Sequence, residues 1–294
     1  MNRGEVPVHH HDVNSSSLPD DLPAAHLDLA KMPGHWLLAR MGKRVLRPGG
    51  RALTRAMLDP LAIGARDHVV ELAPGLGATA RLALARRPAA DTGVERDAAA
   101  AAHVRRLLRE PAYRCITGTA TATGLPDESA TVVYGEAMLT MHTTQQKAHI
   151  VREAFRVLQP GGRYGIHELS LEPDEISDLH KREVMRDLSA AIRVGARPLT
   201  RSEWRALLEE AGFLVEAEAA APMLLLEPAR LIADEGLRGA LTIAANVLRA
   251  PIARRRVLEM RQAFNRHRSK LGAIALVARK PPRDAANHVE RQCR

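Results

Sequence analysis

His68-Val69-Val70-Glu71-Leu72-Ala73-Pro74-Gly75-Leu76-Gly77-Ala78-Thr79-Ala80 runs from a short apolar pulse into a glycine turn and then into alanine. The pulse reads as a buried strand and the alanines as the opening of a helix. Glycines between them let the backbone approach a ligand with no Cβ in the way.

The same rhythm continues downstream. Strands are expected at Asp91–Glu95, Tyr113–Thr117, Ala130–Glu136, Arg163–Leu169, Phe213–Ala219 and Leu271–Ala278. Helices are expected at Ala78–Arg87, Ala98–Arg109, Gln145–Leu158, Glu172–Ile192 and Trp204–Ala211, and over about 228–269. Strands alternating with helices imply an α/β fold: a Rossmann-like, doubly wound, mostly parallel sheet of seven strands with helices on both faces. Leu199-Thr200-Arg201-Ser202-Glu203 contains an N-cap for the helix Trp204–Ala211.

The chain has 294 residues, 46 % of them hydrophobic, which suffices for one large core. Residues 1–28 read as a disordered tail and 281–294 as a basic one, with the enzyme domain expected over 29–280. Within it the ligand-binding core spans about 60–170. The segments 29–58, 172–211 and 228–269 are expected to cover the site. No apolar run is long enough to span a bilayer and no signal-peptide pattern is present, so the chain reads as cytoplasmic. Two cysteines, Cys115 and Cys293, exclude a disulfide framework and a zinc motif built from cysteine alone.

The net charge is +9 but unevenly placed. Residues 249–294 carry thirteen Lys/Arg against three Asp/Glu, which leaves the rest of the chain near neutral. Arg40–Arg55 holds six Lys/Arg and no acid. Such stretches are solvated helix faces, or they attract an anionic acceptor, a lipid surface or nucleic acid. Aromatic residues are only 3 %, which argues against stacking on single-stranded nucleic acid.

Glu95 stands eighteen positions after Gly77, at the end of the second strand, where a carboxylate accepts the two hydroxyl protons of a ribose. Gly75-x-Gly77-x-x-Ala80 also fits a dinucleotide fingerprint. Glu71, four positions before Gly75, argues against it: an acid there repels a pyrophosphate and attracts a sulfonium or ammonium. The segment Arg156-Val157-Leu158-Gln159-Pro160-Gly161-Gly162-Arg163 ends a helix and reverses the chain into the fifth strand.

Taken with Gly93-Val94-Glu95 and Leu125-Pro126-Asp127-Glu128-Ser129, these segments resemble the class I methyltransferases, especially the ubiquinone/menaquinone C-methyltransferase branch. The resemblance covers about Val69–Leu169, and Arg47-Pro48-Gly49-Gly50 is similar to a segment some of these enzymes carry. It implies S-adenosylmethionine as cofactor, with Ala73, Gly75 and Gly77 against its methionine part and Glu71 near the amino group through water. It implies Glu95 on the ribose, beside Arg96. Gly118-Thr119-Ala120 falls where the family often has Gly-Asp-Ala, so Thr119 stands in for the acid that holds the adenine amine. Glu136 falls near the sulfonium.

At the carboxyl ends of the strands, His142, His167 and Glu136 are the candidate catalytic groups, and a histidine near neutrality suits base catalysis. His167 and Glu168 point to opposite faces of a regular strand. No spacing compels a metal site. The partner expected is a small-molecule acceptor: a hydroxyl of a sugar, lipid or secondary metabolite, or a quinone-like ring. The basic segments, Arg47 and Arg51 included, suggest that it carries a carboxylate or phosphate, and a homodimer is left open. The alternatives are a nucleic-acid methyltransferase, a cofactor-binding module without turnover, and an NAD(P)-dependent oxidoreductase.

Overall fold

The structure is a computed structural model that describes residues 27–283. The expectations for the tails at 1–26 and 284–294, and Cys293, lie outside those residues. In chain order the elements are α1 (Gly34–Arg40), α2 (Gly50–Leu61), β1 (His68–Leu72), α3 (Ala80–Leu84), β2 (Ala90–Glu95), α4 (Ala98–Arg105), β3 (Tyr113–Thr117) and β4 (Ala130–Glu136). They continue with α5 (Thr144–Val157), β5 (Leu158–Leu171), α6 (Asp178–Ile192), β6 (Leu199–Thr200), α7 (Arg201–Glu209), β7 (Leu214–Pro222), α8 (Pro228–Arg249), α9 (Pro251–Arg266) and β8 (Leu271–Arg279).

The sheet runs β3-β2-β1-β4-β5-β8-β7, parallel from β3 to β5, with β8 antiparallel to both neighbours. The order reverses between β1 and β4, and ligands of open α/β sheets bind beyond the carboxyl ends of the strands at such a point. Two-residue β6, which no periodicity announces, adds an eighth strand on the end of β5 through Ser170 and Leu171.

One face of the sheet packs Val70, Val133, Tyr164, Ile166 and Leu276 against Ile150 and Val151 of α5 and Trp204 of α7. The other packs Val132, Tyr134, Ala275 and Val277 against Leu53, Met57 and Leu61 of α2. Each such aliphatic side chain contributes about 1.5–3 kcal/mol on burial. Two capping boxes start the long helices at the right residue: Thr143 with Gln146 for α5, and Thr200 with Glu203 for α7. A third apolar cluster joins Leu37, Leu38 and Met41 of the α1 region to Ile243 of α8 and Met260 of α9.

Several expected elements differ in extent. The helical stretch expected over 228–269 is two helices, broken at Ala250-Pro251, because proline has no N–H to continue the helix. Gly236 (φ 76) interrupts α8 as well. The helix expected from Glu172 begins only after Ser177, whose hydroxyl accepts the His180 N–H. At the Gln159–Gly162 turn, Ala130 pairs with Leu158 and Val132 with Arg163, so the intervening residues bulge out of the β4 pairing.

Candidate active site

The glycine turn needs left-handed backbone at Gly75 (φ 58) and Gly77 (φ 68), and forces it on Ala73 (φ 56). A Cβ on Gly77 would lie 2.6 Å from Leu107 Cδ1, so a side chain there must displace that of Leu107 as well as adopt the left-handed backbone. The turn is closed by the Gly77 N–H donating to Pro74 O (2.8 Å) and by the Ala73 N–H donating to Val94 O (2.9 Å). Glu95, 7 % exposed, binds it to the next strand: one carboxylate oxygen accepts the Gly75 N–H (3.0 Å) and the other the Asp97 N–H (3.0 Å). The expected ribose acid is thereby fixed over the turn, beside an exposed Arg96.

Strand alternation sets Asp91, Glu71, Tyr134, Glu136 and His167 along one face of the sheet. Glu71 is 4 % exposed and its Oε2 meets no hydrogen-bond donor. Burial pushes its carboxyl well above the usual range, and Asp91 adds to the shift. An ammonium or sulfonium brought beside it would favour its charged form. Asp91, also buried, is pushed up to about 7 by burial.

Glu136 behaves oppositely. Its Oε1 lies 2.7 Å from His167 Nδ1, while Oε2 accepts from the Thr79 hydroxyl and pairs with Arg47 Nε at 3.2 Å. Burial alone would raise its pKa, but Arg47, His167 and Thr79 outweigh burial and hold it at about 2. His167 is fully buried, with Nδ1 on the Glu136 carboxylate and Nε2 on the Pro48 carbonyl. Both ring nitrogens are thus taken up by protein partners. His167 and Glu136, two of the three candidate catalytic groups, therefore meet in one closed clamp. Arg47, which the sequence reading offered toward an anionic acceptor, belongs to the same clamp, with its Nε also donating to Thr54.

His142 differs. It follows the one-turn 3-10 helix Leu139–Met141, and burial lowers its pKa, with Arg96 and Lys147 pushing the same way against a hydrogen bond to Gln146. Its ring is neutral at neutral pH. Glu168, pointing to the opposite face from His167, builds the loop that carries it. Its carboxylate accepts the N–H groups of Met138 (2.9 Å), Leu139 (2.8 Å) and Thr140 (3.0 Å) and the Thr140 hydroxyl (2.7 Å). The Arg197 N–H donates to Thr140 O at 2.7 Å, which brings exposed Arg197 to the same rim.

Gly118, Thr119 and Ala120 leave the end of β3 beside Glu95, whose carbonyl accepts the Gly118 N–H at 2.9 Å. The Thr119 hydroxyl lies 3.3 Å from that of Thr121, so the substitute for the family's acid is engaged locally. On the far side of the site, His35 of α1 stacks near Trp36 (4.7 Å between centroids). Burial lowers its pKa to about 4 against the pull of Asp97. Met223 and Leu225 pack into the core under α6 rather than walling a pocket.

Sequence reasoning missed the bonds that tie α8 to the segment leading into α2. Glu235 of α8 accepts the N–H groups of Arg44 (2.9 Å) and Val45 (2.8 Å) and pairs with buried Lys43 at 3.7 Å. Asp234 accepts the Arg51 N–H at 3.0 Å. Together they fix residues 43–51, which present Arg47 to Glu136 and Pro48 O to His167. Thr79, Asp91 and Tyr134 were missed too. Among the described residues no group of three or more His, Cys, Asp or Glu is placed to hold a metal ion.

An α/β sheet with a glycine turn, a strand-end acid clasping it, and an acidic row behind is the site of a protein that binds a ribose-bearing, cationic small molecule. The donor set fits S-adenosylmethionine: the orphaned Glu71 Oε2 suits its ammonium or sulfonium charge, and Glu95 suits a diol. Residues 70–166 match the family model described as methyltransferase domain. An uncharacterized protein of Haemophilus influenzae is 32 % identical over 252 residues, 84 % of this chain and 98 % of that one. Among solved structures, phosphoethanolamine N-methyltransferase 2 of Haemonchus contortus superposes with a TM-score of 0.64 at 14 % identity, over 84 % of this chain and 57 % of that one. The [4+2]-cyclase SpnF superposes at 0.59 with 19 % identity, over 79 % and 80 %. The chain belongs to the class I S-adenosylmethionine-dependent methyltransferases. The narrower likeness to the quinone C-methyltransferases rests on the sequence motifs alone.

Proposed function

We propose that the chain methylates a small acceptor bearing an anionic group, and that His142 is the base that takes the acceptor's proton. The observation that carries this reading is the contrast among the three candidate bases. Glu136 and His167 are consumed by their own clamp, whereas His142 stands half-buried at the strand ends with a neutral ring. S-adenosylmethionine, when bound, supplies the electrophilic methyl group on a good leaving group. The protein's own work is then to orient the acceptor, exclude water and remove a proton.

Glu95, Gly75 and Gly77 would hold the cofactor's ribose and methionine part, with Ala73, Arg96, Gly118 and Ala120 around it. Thr119 would lie against the adenine, a weaker partner than a carboxylate. Glu71 and the Glu136 carboxylate would face the cationic end. Arg96 and Arg197, both exposed at the rim, support an acceptor with a carboxylate or phosphate. The roof of α1, residues 43–51 and α8 supports a small acceptor over a macromolecule.

Incubation with methyl-labelled S-adenosylmethionine and a metabolite extract tests the proposal. Label is expected in a small anionic product, and His142→Ala should abolish it while leaving cofactor affinity within about twofold. Label confined to nucleic acid or protein would overturn the reading, as would full transfer by His142→Ala.

A further inference from the structure

Six of the nine large hydrophobic side chains exposed on the described surface lie on α8 and α9, so their exposure is a local feature and not general surface character. Leu237 and Leu241 are each 62 % exposed, Leu248 64 %, Ile252 50 % and Leu258 57 %. At about 100° per residue, Leu237, Leu241, Ala244 and Leu248 share one stripe within about 60° of each other. The buried face of the same helix, through Ala240 and Ile243, points elsewhere, into the cluster with α1 and α9. This apolar ridge is therefore a second face that packing leaves bare.

Its flank is basic. Arg238 and Arg249 lie beside the stripe on α8, and Arg254 and Arg255 follow across the Ala250-Pro251 break, all exposed. Arg255 is matched by Glu259 at 2.9 Å, and few other acids offset this end of the chain. The non-helical Gly236 separates the two duties of α8. Asp234 and Glu235, just before it, grip residues 43–51, while the residues after it carry the ridge.

An exposed leucine ridge bordered by arginines, on a helix pair already folded, matches the chemistry of an anionic bilayer surface: acyl chains for the leucines, phosphates for the guanidiniums. We propose that the α8–α9 hairpin docks the protein on an anionic lipid surface. No helix is long and apolar enough to cross a membrane among the described residues, so the attachment is peripheral. The charge is what favours lipid over a second copy of the chain, which would bring a second set of arginines to the contact and few acids to match them. This inference is independent of the acceptor's identity.

The test is co-sedimentation of the full chain with vesicles of phosphatidylcholine alone, and with vesicles in which on the order of one lipid in three is phosphatidylglycerol. Binding to the second and not the first is expected, weakening with salt. Leu241→Ser with Leu248→Ser should lower that binding by about tenfold or more. Arg249→Glu with Arg254→Glu should abolish it. All four positions are exposed, and unchanged thermal unfolding checks that the variants fold. Failure to sediment with anionic vesicles would overturn the proposal. So would binding that the serine variants leave unchanged, since charge alone would then explain it. Light scattering that shows a dimer which the serine variants dissolve would assign the ridge to a second copy instead.

Discussion

Replacing Arg47 with Leu tests the clamp on Glu136. In the native protein both side chains are 7 % exposed, and the carboxylate is held at about 2 against an ordinary 4.5. That difference corresponds to about 3 kcal/mol of preference for the charged form in the folded state. Removing the guanidinium leaves a buried carboxylate supported only by Thr79 and His167, and broken buried pairs typically cost 3–5 kcal/mol. Arg47→Leu should therefore destabilise by about 3 kcal/mol at pH 7, a fall in Tm on the order of 6–12 °C.

The pH dependence has a definite sign. A depressed carboxylate contributes stability above its unfolded pKa and loses it as pH falls through the folded one. The gap between native and variant should thus be full above about pH 4.5 and shrink toward pH 2. Urea denaturation of Arg47→Leu, Glu136→Gln and the double variant, at pH 7 and pH 3.5, measures both quantities. A loss under about 0.5 kcal/mol, or strictly additive single effects, would refute the clamp.

Other outcomes follow from the same geometry. Asp91, 2 % exposed and pushed up to about 7, keeps a proton between pH 3.8 and 7 that the unfolded chain gives up. Stability therefore falls as pH rises through that window, by up to about 4 kcal/mol. Asp91→Asn should gain on the native protein in Tm between pH 4.5 and pH 8; a constant difference would contradict this. Glu168→Gln places amide hydrogens against backbone N–H donors and should loosen residues 138–142. Faster hydrogen exchange there and a kcat lower by about tenfold, with cofactor affinity nearly unchanged, are expected. Unchanged exchange would show that Glu168 does not position the loop.

The parallel core was legible because each strand is a short apolar run and each turn carries glycine or proline. The glycine turn and Glu95 were legible because their chemistry is local in sequence. Two of the segments that carried the resemblance turned out to support each other away from the site. Arg156 donates to Leu125 O (2.8 Å) and pairs with Asp127, tying the Leu125–Ser129 segment to the end of α5 at the amino end of β4. The clamp was not legible. Arg47, Thr79, Glu136 and His167 are brought together only by the sheet, and nothing in a linear reading says that both nitrogens of a histidine will meet acceptors. Asp234 and Glu235 act on residues about 190 positions earlier and sit in a helix that reads as an ordinary charged insertion. The upward push on the Glu71 carboxyl was not legible either, because the burial that causes it is a property of the fold.

Calorimetric titration of S-adenosylmethionine into the native protein, Glu95→Gln and Glu95→Ala addresses the cofactor site most directly. The native protein should bind. Glu95→Ala should weaken binding by about a hundredfold, the worth of two charge-assisted hydrogen bonds, with Glu95→Gln in between. Equal affinity in all three, or binding of NAD in place of S-adenosylmethionine, would contradict the account.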